Sequence, residues 1–250
     1  MVTSKKTKTK KPAAKPAKPV LNIIVPVYNE GDNFERLYNE IQDNIKIPKR
    51  LIVVYDFDED NTLPVARRFV KKDSSLELVK NTRGRGALNA IKTGFDHIKQ
   101  GPVLVTMADL ADDLKTVEAM YACYLDGAHL VCGSRYMKGG KQVGGPLLKR
   151  TLSRFAGTSL YYLRRVPTHD VTNNFKLYDK TMLSEIEIES KGGFEIGMEI
   201  TVKAFHNGAK IVEIPTIWYD RTAGTSNFKL WQWLPSYLKW YLHAYKPRTK

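Results

Sequence analysis

Cysteine is scarce in this 250-residue chain, and long apolar runs are absent. The two cysteines, Cys123 and Cys132, cannot make a disulfide framework; both fall in apolar stretches and read as buried thiols of a reducing compartment. His97, His129, His169, His206 and His243 are scattered without the spacing of zinc ligands. No window approaches ~18–20 continuous apolar residues, so no segment reads as a bilayer span. No repeat recurs at solenoid periods.

Acidic residues are missing altogether from positions 1–19, which hold seven lysines among prolines and alanines. Such a segment has too little apolar surface to fold and is expected to be a disordered basic tail. No apolar run follows its lysines, so it is not read as a signal peptide. It would attract phosphates non-specifically on anionic lipid or nucleic acid, or serve only as a solubilising tail. The chain as a whole carries a net charge of +14 and is 42% hydrophobic, an ordinary value for a globular protein.

From Val20 onward, strand and helix signals alternate. Leu21–Val27, Leu51–Val54, Leu76–Lys80, Val103–Thr106 and Ala128–Cys132 read as strands. Helices are expected from the Asn29 or Asp32 caps to about Ile45, over Thr62–Lys72, from Gly84-Arg85-Gly86 to about Ile98, and from Asp113 to about Leu125. Pro64 falls in a first turn, where proline is tolerated. The alternation implies an α/β domain whose central sheet is mainly parallel, with helices on both faces. Ligands bind such sheets outside the carboxyl ends of the strands. That rule gathers Pro26–Glu30, Tyr55–Asp60, Asp109 and Ser134-Arg135 on one rim.

This rim has a consistent chemistry. Asp56 and Asp60 could accept hydrogen bonds from a base or ribose, although Asp58 or Asp60 would equally serve as a helix cap. Arg83 and Arg85 precede a helix start, where cations and unpaired N–H groups suit a diphosphate. Asp109 ends a strand, where a carboxylate can hold Mg²⁺ or Mn²⁺ against that diphosphate. Asp112 and Asp113 read as caps of the next helix, with metal ligation as the other reading.

Seven segments, in order, resemble the family-2 glycosyltransferases of the GT-A fold, and most closely the dolichyl- or polyprenyl-phosphate sugar transferases. They are Pro26–Glu30, Val53–Asp56, Gly84–Ala90, Met107–Leu110, Gly133–Tyr136, Asp170–Tyr178 and Arg221–Ser226. The resemblance covers about residues 21–228 and implies a hexose moved from a nucleotide sugar, GDP-mannose or a UDP-hexose, to a polyprenyl phosphate. It assigns Pro26, Tyr28, Asn29, Glu30 and Asp56 to the nucleoside and Asp109 to the metal. It places Arg135, Lys149 and Ser153 around the acceptor phosphate, and Arg221 and Ser226 around the donor. Four positions depart from the pattern: Met107 replaces the first carboxylate of Asp-x-Asp, Ala111 a polar residue, Tyr55 an aspartate and Asn227 a basic residue. A transferase acting on a hydroxyl would need a base, for which Asp170, with His169, is the candidate. A degenerate fold that binds nucleotide sugar without turnover is the other reading.

All four tryptophans lie late in the chain, at 218, 231, 233 and 240. Over 228–245, Lys229, Gln232, Ser236, Lys239 and His243 form one helical stripe beside a wide aromatic face. This composition suits an amphipathic helix in a membrane interface, or one packed on the domain's own core. The expected organisation is therefore a tail over 1–19, a transferase domain over 20–227 and a helical end over 228–250. The chain would work as a peripheral protein at the cytosolic face of a membrane, with a small membrane protein as a possible partner and no specific nucleic acid.

Overall fold

β-Branched and aliphatic runs supply the strands. The computed structural model describes residues 19–220 and 230–247. The first half alternates as β1 (Leu21–Val27), α1 (Gly31–Asn44), β2 (Lys49–Tyr55), α2 (Thr62–Val70), β3 (Leu76–Lys80), α3 (Ala87–His97) and β4 (Pro102–Val105). A single 3₁₀ turn at Leu114–Thr116 leads into α4 (Val117–Leu125), β5 (Leu130–Ser134) and β6 (Lys141–Val143). Then come α5 (Leu147–Arg164), β7 (Lys176–Asp179), α6 (Lys180–Ser184), α7 (Ile196–His206), β8 (Ile211–Pro215), β9 (Ile217–Tyr219) and α8 (Leu230–His243).

Seven strands form one sheet in the order β3-β2-β1-β4-β7-β5-β8. Every pairing in it is parallel except those of β7, which runs antiparallel to both β4 and β5. The mainly parallel expectation is met. The reversed strand has a consequence for the site. It brings the loop before Lys176 to the same rim as the carboxyl ends of β1, β2, β4 and β5. A separate two-stranded parallel ribbon, β6 with β9, stands beside that rim.

Side chains alternate across each strand, so the sheet buries two cores. Ile24, Ile52 and Val54 face Ile91 and Phe95 of α3 and Val202 of α7. Ile23, Val25 and Val53 face Phe34, Leu37 and Ile41 of α1. α3 lies close on β1, because a Cβ on Gly94 would come within 2.8 Å of Ile24.

Two local expectations change. α1 is capped by neither Asn29 nor Asp32; its N-cap is Glu30. Asn29 instead adopts a left-handed conformation (φ 54°), as asparagine does more readily than most residues. Asp60 is not available to a nucleoside. Its buried carboxylate accepts from the backbone N–H of Asn29 at 3.1 Å and of Thr62 at 2.8 Å, tying two rim loops together.

The C-terminal helix also differs. Trp240 of α8 is 1% exposed and belongs to the domain core, with Ala244 beneath it. Trp233 packs on Phe194 at 5.5 Å between ring centroids. Lys239 bonds Glu189 at 2.9 Å, and its ammonium sits over the Trp240 ring. Trp233, Trp240 and Lys239 thus hold α8 to the domain rather than facing a bilayer. The helix instead exposes Leu238 and Leu242, and Tyr245 just beyond it is exposed as well. The tail over 1–18 and the segment 221–229 lie outside the described residues, as does the side chain of Trp231.

Candidate active site

One cavity of about 1440 Å³ opens along the rim. Of the sequence-predicted residues, it brings together Pro26, Tyr28, Asn29, Glu30, Asp56, Arg85, Asp109, Arg135, Lys149 and Ser153. Arg221 and Ser226 lie outside the described residues. Arg83 is not part of the lining; its guanidinium turns to Asp96 of α3, 2.8 Å from Nε.

At one end, Asp56 organises the loop between β3 and α3. Its Oδ1 accepts from Asn81 at 2.7 Å and its Oδ2 from the Gly86 N–H at 2.8 Å. Gly86 has φ +119°, which an L side chain rarely adopts, so glycine is required for that N–H to turn toward Asp56. Asn81, which the sequence reading passed over, also accepts from Thr93 and from the Arg83 N–H. Arg85 stacks over Phe57 at 4.9 Å, and the Phe57 ring meets Tyr28 edge-on at 5.6 Å. A guanidinium, a loop of N–H groups and two aromatic rings suit a nucleoside diphosphate.

In the middle, the chain leaves β4 through a tight turn. Leu110 sits at φ 60°, and Asp109 Oδ1 accepts from the Ala111 N–H at 3.2 Å. This turn folds Asp112 back, so that its Oδ2 accepts from Thr106 Oγ1 at 2.9 Å and from the Met107 N–H at 3.4 Å. Asp113 caps the 3₁₀ turn, as expected, by accepting from the Lys115 N–H. Asp112 is no cap: it lines the cavity with Asp109. Burial and the nearby charge of Asp109 push its carboxyl up to about 7. Among the described residues, no three His, Cys, Asp or Glu side chains are placed to hold a metal by themselves. Mg²⁺ or Mn²⁺ beside a diphosphate needs only one or two carboxylates, however, and hard oxygen donors at this turn fit such an ion.

At the other end, Arg135 leaves β5 and meets Asp170. Its Nε lies 2.7 Å from Oδ2 and its Nη2 lies 2.9 Å from Oδ1; its backbone N–H also donates to Oδ2. Nη2 further donates to Ser153 Oγ and Thr172 Oγ1, both at 3.1 Å. Tyr136 donates to Ser153 from the far side. Burial pushes the Asp170 carboxyl upward, but Arg135 holds it below the usual carboxylate range. Gly157 makes this cluster possible. A Cβ there would come 2.0 Å from the His169 carbonyl oxygen, so only glycine lets α5 lie close enough to bring Ser153 to Arg135.

This geometry engages both candidate bases for a hydroxyl acceptor with other partners. Asp170 has no exposure and is fixed to Arg135, while His169 Nδ1 bonds Glu213 at 2.6 Å and its ring stacks on Tyr161. The cysteine expectation holds for Cys132, which is buried; Cys123 is only partly so.

The mouth beside Arg135 is apolar. Leu148, Leu152 and Phe155 of α5 and Leu238 of α8 line it, each at least a third exposed. The two helices are joined by Ser159 with Tyr241 and by Arg164 donating to the Ala244 carbonyl. Leu147, Tyr162, Leu163 and Leu242 extend the exposed apolar surface along the same pair. The sequence reading had assigned this character to α8 alone and missed α5.

Comparison with known proteins agrees with this layout. The profile described as Glycosyl transferase family 2 matches residues 22–187. A dolichol-phosphate mannosyltransferase of Pyrococcus furiosus is 27% identical over 214 residues, 84% of this chain and 59% of its own length. A polyprenol monophosphomannose synthase of Mycolicibacterium smegmatis is 29% identical over 212 residues, covering 82% of this chain and 79% of that protein. The chain thus spans under two thirds of the Pyrococcus protein. Glucosyl-3-phosphoglycerate synthase of Mycobacterium tuberculosis, solved with Mn²⁺, UDP and glucosyl-3-phosphoglycerate, superposes with a TM-score of 0.66 at 14% identity. That match covers 95% of this chain and 86% of the synthase, and it shows a shared fold. With two thirds of its length matched, and an α/β domain of the GT-A kind, the chain belongs to glycosyl transferase family 2.

Proposed function

We propose that the chain transfers a hexose from a nucleoside diphosphate sugar to a polyprenyl phosphate at a membrane surface. The observation that carries this reading is the Arg135 cluster placed directly inside an apolar mouth. An anion site beside an apolar ledge suits a phosphate attached to an isoprenoid chain. The names of the Pyrococcus and Mycolicibacterium relatives support the same acceptor class. The donor is GDP-mannose or a UDP-hexose.

An oxygen of the acceptor phosphate attacks the anomeric carbon as the bond from that carbon to the diphosphate oxygen breaks. The nucleoside diphosphate leaves. The attacking oxygen is already ionised at pH 7, so no side chain need accept a proton. What the chain supplies is position and charge. Arg135, Lys149 and Ser153 hold the acceptor phosphate, and Asp170 holds Arg135. Arg85 and the loop ordered by Asp56 hold the donor diphosphate, and the family resemblance adds Arg221 and Ser226 to that role. Asp109 would hold a divalent ion, whose chemistry when bound would be to neutralise charge on the leaving diphosphate.

The apolar ledge of α5 and α8 is the membrane-facing surface in this reading, and the basic residues before position 20 add attraction to anionic lipid. Among the described residues no helix is long and apolar enough to cross a membrane. In this reading the chain meets its acceptor from the cytosolic face as a peripheral protein, alone or with a small membrane-protein partner. The organisation proposed is a tail over 1–19, the transferase domain over 20–227 and a helical end over 228–250 that packs on the domain through Trp240. The test is a panel of radiolabelled nucleotide sugars with Mg²⁺ or Mn²⁺ and a short polyprenyl phosphate. One donor is expected to give lipid-linked sugar. Release of nucleotide from every active donor without a lipid product would overturn the reading.

A further inference from the structure

We infer that Asp112 shares a divalent cation with Asp109 and the donor diphosphate, supplying the carboxylate that position 107 does not offer. The inference rests on the proposed donor site and not on the lipid acceptor. At position 107 stands a thioether, a soft ligand poorly matched to Mg²⁺ or Mn²⁺. Position 111 carries only a methyl group. Asp109 would be left as the only carboxylate of the turn on the cavity if Asp112 faced the following helix, as a cap does. It does not. The left-handed Leu110 reverses the chain, and Asp112 returns to the backbone of Met107.

Position and rigidity favour a ligand. Asp109 and Asp112 both line the cavity, three positions apart on one turn. Thr106 and Met107 engage Oδ2 of Asp112, and a carboxylate has a second oxygen with lone pairs of its own. The turn is braced from the other side by the ribbon: Asp112 bridges to Trp218, and the Tyr219 N–H donates to the Ala111 carbonyl at 2.9 Å. Two carboxylates completed by phosphate oxygens and water are an ordinary Mg²⁺ or Mn²⁺ set.

The test is Mn²⁺ binding to the full chain, read by electron paramagnetic resonance with UDP or GDP present and no acceptor. Asp109→Asn and Asp112→Asn should each weaken Mn²⁺ at least tenfold, and adding Met107→Asp to Asp112→Asn should restore it. Asp112→Cys should reverse the metal preference toward Cd²⁺ relative to the parent chain, a change that lost packing does not produce. That variant decides the matter if Asp112→Asn fails to fold. Mn²⁺ affinity within twofold of the parent in folded Asp112→Asn, or no gain of Cd²⁺ preference in Asp112→Cys, overturns the inference. If Asp109→Asn weakens Mn²⁺ while Asp112→Asn does not, only the Asp112 assignment fails. If neither substitution changes Mn²⁺ binding, the metal role of the donor site fails with it.

Discussion

Arg135 and Asp170 meet edge to edge, with two guanidinium nitrogens on two carboxylate oxygens and the carboxylate wholly out of solvent. Thirty-five positions separate them, and the reversed strand β7 is what brings them together. The pair makes Asp170 a positioning residue. Asp170→Asn should lower acceptor kcat/KM by misplacing Arg135, and should leave donor binding near normal. It should also lower stability, because a buried guanidinium loses its charge partner, a loss on the order of 3–5 kcal/mol. An acid limb in the pH–rate profile that disappears in this variant would instead mark Asp170 as a general base.

The same pair predicts an acid dependence. The folded-state pKa of Asp170 is depressed by Arg135. Its contribution is therefore fully present above the unfolded value of about 4 and is lost as pH falls through the folded value. Denaturant titrations of the parent below about pH 4 should show a decline that is shallower in Asp170→Asn. Equal slopes would remove this pair from the acid response.

Arg135→Ala should raise acceptor KM or lower kcat by roughly ten- to a hundredfold, the loss expected for a hydrogen bond to a charged group. Donor affinity, measured by calorimetry with UDP or GDP, should change less than threefold. Asp56→Ala should give the opposite split. It frees the Gly86 N–H and Asn81, so the donor loop loosens while the acceptor cluster stays intact.

α8 separates core from ledge. Trp240→Ala should cost about 3–5 kcal/mol, because the ring is packed in the domain core. Phe155→Ser with Leu238→Ser should leave the thermal transition nearly unchanged, since both side chains are exposed. The double variant should lose the salt-resistant part of binding to anionic vesicles. Deleting residues 1–18 should remove mainly the salt-sensitive part, which is screened within about 8 Å at physiological ionic strength. Vesicle binding unaffected by the two serines would remove the ledge from membrane contact.

Much of this layout was legible before the fold. Strands β1 to β5 announce themselves as apolar runs, and the rule of carboxyl ends placed Pro26–Glu30, Asp56, Asp109 and Arg135 on one rim correctly. What escaped was non-local. Asp112 and Asp113 look like one capping pair, and only the turn at Leu110 sends the first into the cavity. Asp170 looked like a base because its partner lay far off in sequence. α8 carries a polar stripe that suits a membrane or a core equally, and the contact of Trp240 with α7 decides it. α5 hides its apolar face among Lys149, Arg150 and Arg154, which break the hydrophobic pattern.

The central claim is a phosphate acceptor carried on an apolar chain. It is tested most directly by offering the full chain one accepted nucleotide sugar with, in turn, a polyprenyl phosphate, the matching polyprenol, and inorganic phosphate. The account predicts sugar on the polyprenyl phosphate alone, because Arg135 needs the anion and the α5–α8 ledge needs the isoprenoid. Comparable transfer to the polyprenol, or to inorganic phosphate at similar concentration, would contradict it.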